Sequence, residues 1–338
     1  MPVTIDIDEK IQAASNNGYG QQKVIETSAG VLYAVQINVS NVIEVHTSIN
    51  GGTSWSLDTS FSSLTAPFHL SLCISERDDI FLGFVHNTNV VVIKKRDYLA
   101  GTWSEVYNTT HSASSEQFAL LTYGKALNRL YLFYTNGDND LSNKRSDDYG
   151  STWSAATSTG EGSGGTSFKL WSVDSAQSGN LYSIWWTSWN ASIRTAVWTS
   201  AGVYSTYEGH IYNTLANMLG GQIALDSGSN RWRVFYFLDA TNYKLMVDKN
   251  AVNSLTVNYS TTDTLNHGQV TIGIDNLDNV YIFYVKTADN ICYYRKYTAS
   301  TTSWGTETAL TAGNGVRPSC VMSVRPGGTK LRIVYTTA

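Results

Sequence analysis

The sequence predicts an all-β fold: a single seven-bladed β-propeller of three- to four-stranded antiparallel meanders, closed by an N-terminal strand that completes the last blade. Three observations predict it. A strand-like motif recurs about every fifty residues, helix-forming stretches are absent, and similar turns stand at matching places in several repeats.

The motif is a turn residue followed by an alternating apolar-aromatic run. Its copies are GVLYAVQI, DIFLGFVH, NRLYLFYT, GNLYSIWW, NRWRVFYF, DNVYIFYV and TKLRIVYT. Aligned on their third or fourth residue, they put Tyr33, Phe81, Tyr131, Tyr182, Arg233, Tyr281 and Arg332 in one column, at spacings of 48, 50, 51, 51, 48 and 51. Another apolar run precedes each copy (QKVIET, FHLSLCIS, QFALLTY, FKLWSV, GQIAL, GQVTIGI, PSCVMSV), across links such as SERDD, DSGSN and RPGG. This is a hairpin signal in every repeat. A third strand usually follows, as in NVIEVHTS, NVVVIKK, SIRTAVW, YKLMVD and ICYYRKY, and then a turn and a shorter fourth strand.

The runs alternate with period two, which excludes helical repeats of similar length. A lone meander would leave both apolar faces uncovered, whereas neighbours stacked in a ring bury them. Residues 1–338 therefore read as one domain, with blades near 20–62, 66–110, 116–158, 167–209, 213–260, 267–311 and 315–338 plus 2–9. The last repeat has only two strands. VTIDID at the amino end alternates like a strand and has no place in the first blade, so it is assigned to the last.

Composition agrees. Charged residues make up only 15% and aromatics 12%, which suits strands with polar loops. A net charge of −4 gives no overall attraction to nucleic acid or to an anionic membrane. No apolar run is long enough for a membrane span, so no membrane insertion is expected. The basic cluster Lys94-Lys95-Arg96 ends an apolar run and reads as a solvated strand end. Cys73, Cys292 and Cys320 lie in strand-like runs and read as buried free thiols. No cysteine-histidine spacing suits zinc, and no metal or cofactor is expected. The amino end, MPVTIDIDEKIQ, is acidic and lacks the apolar core of a signal peptide.

The octet SDDYGSTW, Ser146 to Trp153, stands between the third and fourth strands of the third repeat. An Asp there accepts backbone N–H groups of its own turn, Gly takes a positive φ, and Trp buries its ring against the next part of the meander. Too few oxygens are present for a calcium loop. Related turns are SINGGTSW (Ser48, Asn50, Gly52, Trp55), RDYLAGTW ending at Trp103, and STTSW ending at Trp304. The octet resembles the Asp-box, Ser-x-Asp-x-Gly-x-Thr-Trp, of sialidase-like β-propellers, with Ser146, Asp148, Gly150, Thr152 and Trp153 matching it. The resemblance implies a propeller whose octet lies on the rim, away from the ligand face.

It does not carry sialidase chemistry with it. Sialidases use three arginines on the substrate carboxylate, an early Arg-containing segment, and a Tyr-Glu nucleophile pair. The nearest Arg-Pro segments here, at Arg317 and Arg325, lie late in the chain, and the residues of Tyr207-Glu208 alternate faces on a strand. Seven repeats also differ from the six blades of sialidases.

Ligands of propellers usually meet the loops entering the first strands and those joining second to third strands. The entering loops carry Glu116, Glu161, Glu208, His210, Tyr212, His267 and Arg317, and the second-to-third loops carry Asp138, Asp140, Trp189, Asp239 and Asp289. Gln22, Gln117, Gln222 and Gln269 recur at entrances to first strands, suited either to sugar hydroxyls or to backbone groups around the channel. Trp189, past the end of its strand, is the best stacking platform. The ligand-binding expectation therefore names Trp189, Glu161, Glu208, His210, Tyr212, His267, Arg317, Gln117, Gln222 and Gln269, with no catalytic residue among them.

The functional expectation is a non-catalytic recognition or adhesion propeller that binds a glycan, a cell-surface receptor or another protein on its loop face. Small polar residues and the lack of a leader also resemble phage virion or tail proteins, which places the protein at a virion or extracellular surface, with the cytoplasm as the alternative. A glycoside hydrolase or lyase on the same face is the first rival function, and a purely structural virion component the second.

Overall fold

In the computed structural model of the protein, the described residues are 4–8, 24–38, 40–62, 64–65, 67–87, 89–111, 119–124, 126–136, 140–160, 168–176, 178–187, 192–212, 218–239, 242–250, 257–260, 265–286, 288–289, 291–310, 315–322 and 330–337. Six sheets are antiparallel meanders taken in chain order. Blade 1 holds β2 (Val24–Glu26), β3 (Leu32–Ile37), β4 (Ile43–Ser48) and β5 (Ser56–Phe61). Blade 2 holds β6 (Phe68–Ile74), β7 (Ile80–His86), β8 (Val90–Arg96) and β9 (Trp103–Thr110). Blade 3 holds β10 (Leu120–Gly124), β11 (Arg129–Thr135), β12 (Leu141–Ser146) and β13 (Thr157–Ser158). Blade 4 holds β14 (Phe168–Ser175), β15 (Leu181–Thr187), β16 (Ser192–Trp198) and β17 (Tyr204–Tyr212). Blade 5 holds β18 (Met218–Leu225), β19 (Arg231–Asp239), β20 (Asn242–Lys249) and β21 (Val257–Ser260). Blade 6 holds β22 (Leu265–Ile274), β23 (Val280–Lys286) and β24 (Cys292–Thr298), with β25 (Ser303–Trp304) and β26 (Thr308–Ala309) both pairing β24.

The expected seven antiparallel blades are corrected to six. The chain ends form a different, three-stranded mixed sheet, ordered β1 (Thr4–Asp8), β28 (Lys330–Thr337) and β27 (Gly315–Met322). β1 runs parallel to β28, with Thr4 opposite Lys330 and Asp8 opposite Val334. A hairpin turn forces its two strands antiparallel, but β1 arrives from the far end of the chain and no such turn sets its direction. This sheet lies beside blade 6 through β22 and beside blade 1 through β2.

Five of the hairpins between first and second strands are built alike. In Thr27–Val31, Ser75–Asp79, Ala176–Asn180, Asp226–Asn230 and Asp275–Asn279, the first N–H donates to the last carbonyl, and the fourth N–H donates back to the first carbonyl. The fourth residue of each has positive φ: Gly30, Asp78, Gly179, Ser229 and Asp278. Gly and Asp, which tolerate that conformation, fill four of these five positions. The shared turn also corrects one column of the repeat. Two residues past its end stand Tyr33, Phe81, Tyr182, Trp232 and Tyr281, so Trp232 takes the place expected of Arg233.

The core lies in the seams between blades. Leu82 and Phe84 of β7 pack with Val35, Ile37 and Val45 of blade 1. Leu130, Leu132 and Tyr134 of β11 pack with Phe81, Val85 and Ile93 of blade 2, and Val280, Ile282 and Tyr284 pack with Trp232, Val234 and Val247 of blade 5. Each such side chain, fully buried, contributes roughly 1.5–3 kcal/mol, so the seams carry the fold. Gly83 sits where a Cβ would lie 2.9 Å from Leu121 Cγ and 3.0 Å from the Ala119 carbonyl, so only glycine lets blades 2 and 3 approach.

Candidate functional site

A four-stranded meander has two distinct ends. One, the turn end, carries the links between strands one and two and between strands three and four. The other, the loop end, carries the links between strands two and three and the crossovers to the next blade.

The octet lies at the turn end, and its geometry is self-contained. Ser146 Oγ donates to Asp148 Oδ1 at 2.8 Å and accepts the Gly150 N–H at 2.7 Å, with Gly150 at φ +90. Asp148 accepts Thr152 N–H at 2.8 Å and Thr152 Oγ1 at 2.6 Å, and these bonds hold its carboxyl below the usual range. Asn50 does the same in blade 1, where its Oδ1 accepts from Ser48 Oγ at 2.9 Å and from Ser54 N–H at 3.0 Å, while Gly52 N–H donates to Ser48 Oγ at 2.8 Å. The tryptophans do not all pack within their own meander. Trp153 lies across the seam, its ring 5.3 Å from Tyr107 and its Nε1 donating to the Val106 carbonyl at 3.2 Å. Trp103 likewise donates to Asp58 of blade 1 at 2.7 Å, and Trp304 meets Tyr297 of its own blade and Trp232 of blade 5 edge-on, whereas Trp55 donates to Gly52 within its own turn. Among the described residues, no group of three or more His, Cys, Asp or Glu could hold a metal ion.

The expected ligand residues divide into three groups. Trp189, Glu161 and Gln117, together with Gln22, Glu116 and Asp138, lie outside the described residues. Glu208, His210 and Tyr212 belong to β17, His267 and Gln269 to β22, and Arg317 to β27, so these six stand on strands rather than on entering loops. The backbone alone places them. Gln222 is buried, and its Oε1 accepts Thr271 Oγ1 at 2.6 Å and the Ile272 N–H at 3.0 Å. That carboxamide oxygen joins blade 5 to blade 6.

Among the described side chains, the loop end of blade 6 gathers a polar-aromatic cluster. Tyr284, at the end of β23, is buried, and its hydroxyl donates to Glu307 Oε2. Lys286 Nζ donates to Glu307 Oε1 and lies 4.3 Å from the centroid of the Tyr293 ring. The Tyr293 hydroxyl donates to Asp289 Oδ2, and that bond, ahead of all other causes, raises the pKa of the phenol. Asp289, from the second-to-third loop, is exposed, and its Oδ1 accepts the Ile291 N–H at 3.0 Å. The strands place these groups together: Tyr284 faces Tyr293 across β23 and β24, and Leu265 faces Lys286. The register then shifts between Leu265 and Val270, so His267 and Gln269 fall on the irregular stretch beside the same blade end.

Two further loop-end clusters were not anticipated from the sequence. Where blade 2 meets blade 3, the His111 ring lies 4.3 Å from that of Tyr134, and its Nε2 is 3.4 Å from Tyr107 Oη. Burial, with Lys144 adding to it, pushes the imidazole pKa down to about 4, so His111 is neutral near pH 7. On blade 1, Gln36 Nε2 lies 2.8 Å from Glu44 Oε2 and 3.1 Å from His46 Nε2, while Asn38 Nδ2 donates to Glu44 Oε1 at 2.6 Å. Only an alternating strand signal marks these residues in the sequence, because their partners lie across a blade or across a seam.

With six blades, the blade count no longer separates this fold from that of sialidases. Three of the arginines are committed to pairs within the fold. Arg77 pairs with Asp79, and Arg129 with Asp147, all at the turn end, while Arg233 is fully buried against Asp248.

No protein-family model matches the chain, and no curated protein matches it in sequence. Solved structures share the fold. An ulvan lyase bound to -[GlcA(1-4)Rha3S]- is similar at a TM-score of 0.63 and 10% identity, over 97% of this chain and 96% of its own. AofleA from Arthrobotrys oligospora is similar at 0.52 and 12% identity, over 92% and 99%. The Aleuria aurantia lectin in complex with Fucalpha1-6GlcNAc is similar at 0.51 and 12% identity, over 87% and 97%. At such identities the likeness establishes the β-propeller fold.

Proposed function

We propose that this protein is a recognition propeller that binds glycan at the loop end of its blades. The blade-6 cluster carries the proposal. It presents a partly exposed tyrosine, an ammonium and two carboxylates, and hydrogen bonds hold each of them in place, so little side-chain order has to be gained on binding. Carbohydrate ligands in an ulvan lyase and in a fungal lectin of the same fold support the reading. None of the neighbours named here is a virion protein, and the proposal does not extend to that role. The test is an array of diverse glycans probed with the purified protein and with Tyr293→Ala, His267→Ala and Trp189→Ala beside it. Selective binding that weakens in these variants is the expected result, and a folded wild-type protein that binds no glycan would refute the proposal.

A second reading, a polysaccharide lyase, has one observation in its favour. His111 is held neutral beside the hydroxyl of Tyr107, and a neutral imidazole with a nearby phenol is the kind of pair that can move a proton. The direct assay follows new ultraviolet absorbance from unsaturated uronates when the protein is incubated with uronate-containing polysaccharides. Loss of that signal in His111→Phe would support the lyase, and no signal from wild type would dismiss it.

A further inference from the structure

We infer that the blade-6 loop end selects neutral or amino sugars and turns away uronates and sulfated sugars. The inference rests on the glycan-recognition reading above and names the ligand class for the same site. The ammonium of Lys286 is committed to Glu307 Oε1, and the other oxygen of Glu307 receives the buried Tyr284 hydroxyl. The Tyr293 proton is directed at Asp289, so the phenolic oxygen is left to accept. Asp289 is exposed at the mouth of the group.

Counting charges, Asp289 and Glu307 contribute two negative and Lys286 one positive, which leaves the group with a net charge of −1. Among the described side chains its exposed oxygens are acceptors, a phenolic oxygen and carboxylate oxygens. Acceptors match ligands that bring donors, namely sugar hydroxyls or the ammonium of an amino sugar. A carboxylate or sulfate would meet net like charge, and the one ammonium among the described side chains, already paired with Glu307, offsets that only in part.

The experiment measures binding of the wild type, Tyr293→Ala, Tyr293→Phe, Asp289→Asn and Asp289→Lys to four immobilised sets: neutral hexose, amino-sugar, uronate-containing and sulfated oligosaccharides. Melting curves confirm that each variant is folded. The expected result is wild-type binding to the neutral or amino-sugar sets, weakened about tenfold or more in Tyr293→Ala and Asp289→Asn. Tyr293→Phe separates the acceptor oxygen from the ring and should lose binding as well. Asp289→Lys should gain binding to the anionic sets, in a salt-sensitive manner.

Wild-type binding to uronate or sulfated glycans that is lost in Tyr293→Ala would overturn the ligand class and leave glycan recognition standing. Neutral-sugar binding indifferent to every variant would overturn the placement at blade 6. Silence on all four sets would overturn both the inference and the reading beneath it.

Discussion

The carboxylate of Asp78 accepts two hydrogen bonds from Ser28 of the preceding blade, one from its N–H at 2.8 Å and one from its hydroxyl at 2.5 Å. Fifty-one residues separate Ser227 from Asp278, and the same two bonds join them at 2.8 and 2.6 Å. One hairpin tip thus clasps the tip of the blade before it, at both seams. Because Asp78 is buried and Asp278 less so, the first clasp should matter more. Asp78→Gly keeps φ +66 accessible, so its cost isolates the hydrogen bonds from backbone strain. Urea unfolding should show a loss of about 2 kcal/mol for Asp78→Gly and a smaller loss for Asp278→Gly.

Arg233 and Asp248 form a bidentate ion pair at 2.7 and 3.0 Å with neither side chain exposed, and Arg233 Nη1 also donates to Thr195 of blade 4 at 2.9 Å. Removing the arginine alone strands a buried carboxylate and should cost about 3–5 kcal/mol. Replacing both residues by leucine should recover much of that loss. Burial pushes the Asp248 carboxyl up to about 6 even with Arg233 present, and without its partner it moves higher. Its folded pKa lies above the unfolded value, so protonation favours the fold. Arg233→Leu should therefore melt at a higher temperature at pH 5 than at pH 7.

His111 has the opposite sign. Its pKa falls to about 4 in the fold, chiefly through burial, so the unfolded chain takes up a proton first as pH drops. The stability that depends on neutral His111 is complete above about pH 6.5 and is lost as pH falls toward about 4. In the neighbouring seam Phe61 stacks on Phe84 at 6.4 Å, so an aromatic without titration fits such a place. Melting temperatures of His111→Phe should vary less with pH across that window than those of the wild type.

Asp148 and Asn50 serve the same turn in blades 3 and 1. Asp148→Asn should thus be nearly neutral, and Asp148→Ala should cost ~1 kcal/mol, since the Thr152 N–H would turn to water instead. Adding or chelating calcium should leave the melting temperature unchanged, because the carboxylate oxygens already accept hydrogen bonds within the turn. A calcium-dependent shift lost in Asp148→Ala would show the turn to be a metal loop.

Burial pushes the Cys292 thiol up to about 12 and the Cys73 thiol higher still. Neither should react with a thiol reagent in the folded protein, and both should react once it is unfolded. Rapid native labelling at either position, located by peptide mass, would show an opening of the seam that the packing does not provide.

By itself the sequence determined the strands, their meander order and the turn octets. Those features are local: alternation fixes which residues share a face, and Gly, Asp and Asn fix where the chain takes positive φ, within a few residues of one another. The tertiary structure decided what depends on distant segments meeting. It set β1 parallel to β28, which left six antiparallel blades and a mixed terminal sheet. It moved Trp232 into the column expected of Arg233 and gave Arg233 a buried partner in Asp248. It also drew Tyr284, Asp289, Tyr293 and Glu307 to one blade end. No periodic pattern announces that gathering, because the side chains come together only when β23, β24 and β26 register within blade 6.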